Sequence, residues 1–86
     1  MKVFIIKEEC HGDIGVAISE KAAKQFMLRD GWVSCCSDIW TRNGQCKTLY
    51  QLFGNNWQEG FMGLNRDDLD AMGFCLWEME VEEEKE

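Results

Sequence analysis

The last regular segment of the chain, Phe74–Glu82 (FCLWEMEVE), alternates in side-chain character with a period of two. Because the side chains of a β-strand point alternately to its two faces, this period predicts a strand with one apolar and one largely acidic face. An apolar strand face must pack against a second layer, so the chain has to build a sheet and a cover for it. The predicted core-facing side chains of this strand are Cys75, Trp77, Met79 and Val81.

The N-terminal part of the chain predicts two more strands. Lys2–Glu9 is rich in β-branched and aromatic residues, and its apolar centre favours a central position in the sheet. His11-Gly12-Asp13 is a turn signal, so we expect a hairpin with a second strand over Ile14–Ile18. One face of that strand should present Ile14, Val16 and Ile18.

Two helix starts are well marked in the sequence. Ser19 is a favourable N-cap for a helix over Glu20–Asp30, and Gly31 stands where a left-handed residue often follows a helix. Asn65 is a favourable cap for a later helix, with Asp68 placed to complete a capping box. The apolar stripe of the first helix consists of Ala22, Ala23, Phe26 and Met27.

The middle of the chain is less regular. Trp32–Trp40 can hold one short strand. Asn43-Gly44 is a strong hairpin-turn dipeptide, because both residues accept a positive φ. Short helices are expected over Lys47–Phe53, around Trp57 and Phe61, and over Arg66–Met72.

A chain of 86 residues suffices for one domain. The predicted order is β-β-α, an irregular and helical middle, then β. This order favours an α+β fold, a small antiparallel sheet of three or four strands with helices packed on one face. We expect a single compact domain over residues 1–82 and a frayed acidic tail over residues 83–86.

Charge is distributed unevenly along the chain. Residues 1–50 hold six acids and seven bases and residues 51–86 hold ten acids and two bases, so the net charges of +1 and −8 give a total of −7. A chain with this balance repels nucleic acid and anionic membranes, so we expect direct binding to neither. The expected charged partner is a basic protein surface.

The acidic residues form two candidate rows. The strand period places Glu78, Glu80 and Glu82 on one face about 6.6 Å apart, whereas one DNA strand presents a phosphate about every 3.4 Å. This row has about half the charge density of a DNA strand, and aspartates of the preceding helix can add a second row. Charges on an edge strand also prevent aggregation, which is the simpler explanation. The candidate partner-binding residues are Asp67, Asp68, Asp70, Glu78, Glu80 and Glu82.

Five cysteines and one histidine are the other candidates for chemistry. Their spacing contains no C-x₂₋₄-C pair, and the adjacent Cys35 and Cys36 cannot easily ligate one tetrahedral metal ion together, so no metal site is predicted. Cys10 and His11 point to opposite sides of an extended segment, which is poor geometry for a nucleophile and its base. The glycines match no phosphate-binding pattern. We therefore expect a non-enzymatic protein without a cofactor.

Four tryptophans are many for a chain of this length. Trp57 shares a helical face with Phe61, and Trp77 lies on the predicted apolar strand face, so we expect both in the core. Trp32 and Trp40 flank the least regular segment. Burial is the simpler expectation for them, but an exposed tryptophan at either position would be an interface anchor.

In size, acidity and lack of enzymatic motifs, the chain resembles the small acidic proteins of phages and mobile elements, including anti-CRISPR and other anti-defence inhibitors. The resemblance covers the whole chain and rests on composition rather than on a motif. It implies an inhibitor in the cytoplasm of a host cell, which occupies a basic nucleic-acid-binding surface of a nuclease or its guide complex. The alternative is a protein-protein interaction or assembly module, such as a homodimer, that uses Trp32–Trp40 or a sheet edge.

Overall fold

A computed structural model describes residues 1–82 of the chain, so the tail predicted over residues 83–86 lies outside the described residues. A 3₁₀ turn over Gly54–Asn56 connects the second helix to the third. The elements are β1 (Lys2–Glu8), β2 (Gly12–Ala17), α1 (Glu20–Arg29), β3 (Asp38–Trp40), β4 (Cys46–Thr48), α2 (Leu49–Phe53), α3 (Trp57–Met62), α4 (Arg66–Asp70) and β5 (Phe74–Glu80).

The main sheet has three antiparallel strands in the order β2-β1-β5, and β3 and β4 form a separate two-stranded hairpin. β1 is therefore the central strand, as its apolar sequence predicts. It pairs with β2 through a tight turn and with β5 from the far end of the described chain. The predicted α+β class and the order of elements are confirmed.

The predicted caps are also confirmed. The Ser19 hydroxyl accepts a hydrogen bond from the Ala22 N–H at 3.0 Å, and Gly31 follows the helix with φ +79°. Asn65 and Asp68 form a reciprocal capping box at the start of α4. That helix ends at Asp70 rather than at Met72.

Two details of the middle differ from expectation. The helix expected over Lys47–Phe53 begins only at Leu49, because Thr48 caps it and Cys46–Thr48 pairs with β3 instead. In the turn at Asn43-Gly44, only the glycine has a positive φ, +76°. Asn43 keeps ordinary backbone geometry, so this turn is not the mirror-image type that the dipeptide suggests.

The core lies on one side of the main sheet, between the sheet and the helices. Phe26 of α1 lies directly over Gly15 of β2, and a Cβ at position 15 would approach its ring to 2.8 Å. Glycine at this position therefore lets the helix pack closely on the strand. The buried cluster consists of Phe4, Ile6, Ala17, Ala23, Met27, Val33, Leu49, Phe61, Leu69, Phe74 and Leu76.

One buried lysine attaches the helices to each other. Lys24 of α1 is 8% exposed, and its Nζ donates hydrogen bonds to the carbonyl oxygens of Met62 at 3.0 Å and Leu64 at 2.5 Å. These carbonyls lie at and beyond the end of α3, where a helix has no internal donors left. The ammonium group thus caps α3 from a neighbouring helix.

Candidate interaction surface on the sheet

The two faces of β5 are the reverse of the sequence prediction. Phe74 and Leu76 are buried at 6% and 7% exposure, whereas Trp77 and Met79 are exposed at 58% and 46%. The expected core position of Trp77 is therefore wrong, as is the core face built from Cys75, Trp77, Met79 and Val81. The helices cover the opposite side of the sheet, where Phe74 and Leu76 are followed by glutamates.

A β-bulge in β2 produces a second reversal. Ile6 pairs with Gly15 and Lys7 pairs with Asp13, so Ile14 is an extra residue in the strand. Ile14 packs against the core cluster, but the bulge shifts the alternation after it. Val16 and Ile18 are consequently exposed at 66% and 72%, and the single face predicted for Ile14, Val16 and Ile18 is wrong.

These reversals create an apolar surface, which we call the open face: Val3, Ile5, Val16, Ile18, Trp77 and Met79. Within it Val3 is buried at 8% exposure and Ile5 is half-buried, so the outer-strand residues supply the exposed area. Val16, Ile5 and Trp77 form one row across the three strands, because Ile5 pairs with both other residues. In the next row, Val3 pairs with Met79, and Ile18 follows β2 on the same side. Met1 and Val81, exposed at 56% and 37%, exchange backbone hydrogen bonds and extend the surface.

At the end of the open face away from Met1 and Val81, the apolar rows are followed by an ion pair. Lys7 lies in the row beyond Ile5, and its Nζ is 2.6 Å from a carboxylate oxygen of Asp13. The same ammonium lies 4.8 Å from the centroid of the Trp77 ring, within the range of a cation–π contact. Lys7 and Asp13 therefore satisfy each other, and the acidic Glu9 and Asp70 line the same cavity as Lys7 beyond this end of the surface.

The glutamates of β5 lie on the helix side and already have cationic partners. Arg66 is 2.5 Å from one oxygen of Glu78, and Lys2 is 3.5 Å from the other. Arg66 also contacts Glu20 at 2.7 Å, and the N-terminal ammonium lies 3.0 Å from Glu80. The pKa of Glu78 is lowered chiefly by the hydrogen bond from Arg66 and then by the nearby Lys2 charge.

The remaining acidic candidates lie on α4 and beyond the end of β5. Asp68 is part of the Asn65 capping box, whereas Asp67 and Asp70 are exposed on the short helix α4. Glu82 is exposed beyond the end of β5. The structure thus places two of the six predicted partner-binding residues, Glu78 and Glu80, in ion pairs and one in a helix cap.

The tryptophans of the middle segment lie in different environments. Trp32 is half-buried and packs against the core, with its ring edge-on to His11 at a centroid distance of 5.1 Å. Trp40 of β3 is 61% exposed, which corrects the simpler expectation that it is buried. Trp57 is half-buried against the core cluster, close to its predicted position.

The histidine contacts a carboxylate and not a thiol. His11 Nδ1 lies 2.5 Å from Glu8 Oε2, and this hydrogen bond is the main cause of the lowered pKa of Glu8. All five cysteines are free, and the sulfur atoms of Cys35 and Cys36 are 3.8 Å apart. Within residues 1–82, no three His, Cys, Asp or Glu side chains are grouped closely enough to hold a metal ion.

None of the helices over residues 1–82 has the length and apolar character needed to cross a membrane. No protein-family model matches the chain, and no match is found among curated proteins or solved structures.

Sequence reasoning missed the open face because the β5 alternation identifies an apolar face without showing which side the helices cover. A signal was present at the start of that strand. Phe74 and Leu76 share a face with Glu78 and Glu80, so β5 is apolar on both sides at its first residues. The pattern is typical of a strand with one side in the core and the other available for contact.

Proposed function

We propose that the chain is a protein-protein interaction module that binds its partner through the open face. The observation that carries the proposal is Trp77, which is 58% exposed in an apolar row with Ile5 and Val16. Contiguous apolar patches of this kind are uncommon on monomeric proteins and mark interaction sites. Tryptophan is also the residue most enriched among interface positions with large binding energy.

The position of the surface supports the same proposal. The open face lies on the strands of a sheet, and the buried cluster on the other side holds these strands in place. A surface on regular strands changes little on binding, which limits the entropy lost in the complex. The proposed role is binding and involves no catalytic step.

An inhibitor that uses its acidic residues to occupy a basic nucleic-acid-binding surface, as the anti-defence resemblance implies, is the second candidate. The exposed Asp67 and Asp70 and the net charge of −7 favour it. The ion pairs of Glu78 and Glu80 weaken it, because a basic partner would have to compete with Arg66 and the N-terminal ammonium. Binding through the open face does not require the partner to displace these ion pairs.

Affinity capture from the source cells distinguishes the two candidates. We expect Val16→Glu and Trp77→Lys each to abolish capture of the partner, whereas Trp40→Lys, at an equally exposed tryptophan outside the open face, leaves it unchanged. The acidic candidate predicts the reverse: Asp67→Lys with Asp70→Lys abolishes capture, and salt raised from about 50 to 500 mM weakens it. Capture that survives both open-face substitutions overturns the proposal.

A further inference from the structure

We propose that the partner at the open face is a second copy of this chain, packed face to face about a two-fold axis that runs parallel to the strands. The inference rests on the proposed function, because it assigns an occupant to the same surface. Three properties of the surface favour an identical partner: its charge, the order of its side chains and its area.

The charge of the open face permits self-association in spite of the net charge of −7. In a two-fold interface the same surface meets itself, so any unpaired charge near the axis would face a like charge. The charged groups next to the apolar rows, Lys7 and Asp13, neutralise each other at 2.6 Å, and the exposed Glu9 lies one step beyond Lys7, at the end of β1 away from the Met79–Ile18 row. Glu78 and Glu80 lie on the opposite side of the sheet, which keeps their charges away from the contact.

The same charge distribution disfavours a strongly basic or acidic partner at this surface. A basic partner would find Asp13 paired with Lys7, and an acidic partner would find Lys7 engaged with Asp13 and Trp77. Recognition between highly charged surfaces depends on such groups for specificity. An uncharged apolar surface is the complement that remains, and the chain itself supplies one.

The side chains on the two outer strands have complementary sizes. In the central row, Ile5 has the small Val16 on one side and the large Trp77 on the other. Rotation about an axis parallel to the strands and passing over Ile5 exchanges left and right, which brings Trp77 of each copy over Val16 of the other. In the next row the same rotation brings Met79 over Ile18. At both ends of the central row the large Trp77 thus meets the smaller Val16, whereas Met79 and Ile18 in the next row have similar volumes, and both contacts favour close packing.

The available area is sufficient for a moderately stable dimer. The apolar residues at positions 1, 16, 18, 77, 79 and 81 are between 37% and 72% exposed, and complete burial of all six in both copies would remove on the order of 1,200 Å² from water. This area lies at the lower limit of specific stable interfaces. We therefore expect a reversible dimer with a dissociation constant in the micromolar range.

A charge-exchange experiment by sedimentation equilibrium tests both the partner and the arrangement. Wild type and Trp40→Lys should dimerise equally, and salt should not weaken either dimer. Val16→Glu alone and Trp77→Lys alone should each weaken the dimer at least about tenfold, because a charge then faces an apolar side chain. Mixing these two variants should restore association, since one new Glu–Lys pair forms and the second contact remains Trp against Val.

The outcomes separate this inference from the proposed function. A wild type that is monomeric up to about 500 µM overturns the second copy as partner, whatever the capture experiment shows. If the wild type dimerises but mixing the two variants does not restore association, the proposed axis is wrong. Circular dichroism verifies that each variant is folded. If one is not, Ile18→Glu and Met79→Lys form the equivalent pair in the next row and give the same two outcomes.

Discussion

The two faces of the main sheet are similar in apolar content and opposite in environment. On the covered face, Phe4, Ile6 and Leu76 are at most 8% exposed, whereas on the open face Val16 and Trp77 are more than half exposed. Apolar character alone therefore does not determine which face of a strand is buried. The position of α1 decides it, and α1 can approach one side closely because Gly15 leaves room there for the Phe26 ring.

The largest expected effect comes from making the same substitution, isoleucine to alanine, on both faces of the sheet. Ile6→Ala should lower the free energy of unfolding by about 3 kcal/mol, because Ile6 is fully buried and its loss leaves a cavity. Ile18→Ala, at 72% exposure, should change it by no more than about 0.5 kcal/mol. Urea denaturation at protein concentrations well below the micromolar range measures both without a contribution from a dimer. Equal effects would show that the two faces do not differ as described.

An effect of intermediate size on the free energy of unfolding is expected at Lys24, which connects α1 to the end of α3. Lys24→Met keeps most of the aliphatic stem but removes the donor to the carbonyl oxygens of Met62 and Leu64. We expect a loss of about 1 to 3 kcal/mol in the free energy of unfolding, since both carbonyls lose their partner in a poorly hydrated place. Lys21→Met, at an exposed position of the same helix, is the matched control and should be nearly neutral. Similar values for the two variants would contradict the capping role.

The smallest expected effect concerns Glu78. On the covered side of β5, Glu78 is the first charged residue after the apolar Phe74 and Leu76. Arg66 and Lys2 lower the pKa of Glu78 in the folded state, so its carboxylate stabilises the fold above the pKa of an unfolded glutamate, about 4.3. This stabilisation disappears as the pH falls through the lower folded-state pKa. Glu78→Gln should therefore be less stable than wild type at pH 7, and the difference should vanish in acid.

Urea denaturation of both proteins across the acidic pH range measures this difference. Glu59→Gln is the control, because Glu59 is exposed on α3 and has no ion pair among the described residues. The difference between Glu78→Gln and wild type should vary more strongly with pH than the difference between this control and wild type. A Glu78→Gln difference that varies no more than that of the control would mean that the contacts with Arg66 and Lys2 do not stabilise the fold.

Local signals in the sequence predicted the parts of the fold that depend on local chemistry. Ser19 and the Asn65–Asp68 pair are recognisable because a cap needs only a few neighbouring residues. The apolar sequence of β1 likewise predicted its central position. The order β-β-α-helical-β followed from these elements, and it was sufficient to define the fold class.

The candidate site was not predictable in the same way. A one-residue bulge at Ile14 decides the orientation of Val16 and Ile18. Gly15 beside it is a residue that often accompanies a bulge, but it is also compatible with a regular strand. The exposure of Trp77 depends on which side α1 crosses, which is a property of the tertiary structure. A period of two is symmetric with respect to the two faces of a strand, so it cannot distinguish them.

The position of β1 between β2 and β5 has a consequence for synthesis on the ribosome. β1 and β2 leave the exit tunnel early, whereas the residues that pair with the other edge of β1 begin at Phe74. Until then, one edge of an apolar strand has no neighbour and can pair with strands of other nascent chains. β1 has charged residues at both ends, Lys2 at one and Lys7 and Glu8 at the other, and these charges reduce that risk during translation. The apolar centre of the strand stays unpaired on this edge until β5 has been synthesised.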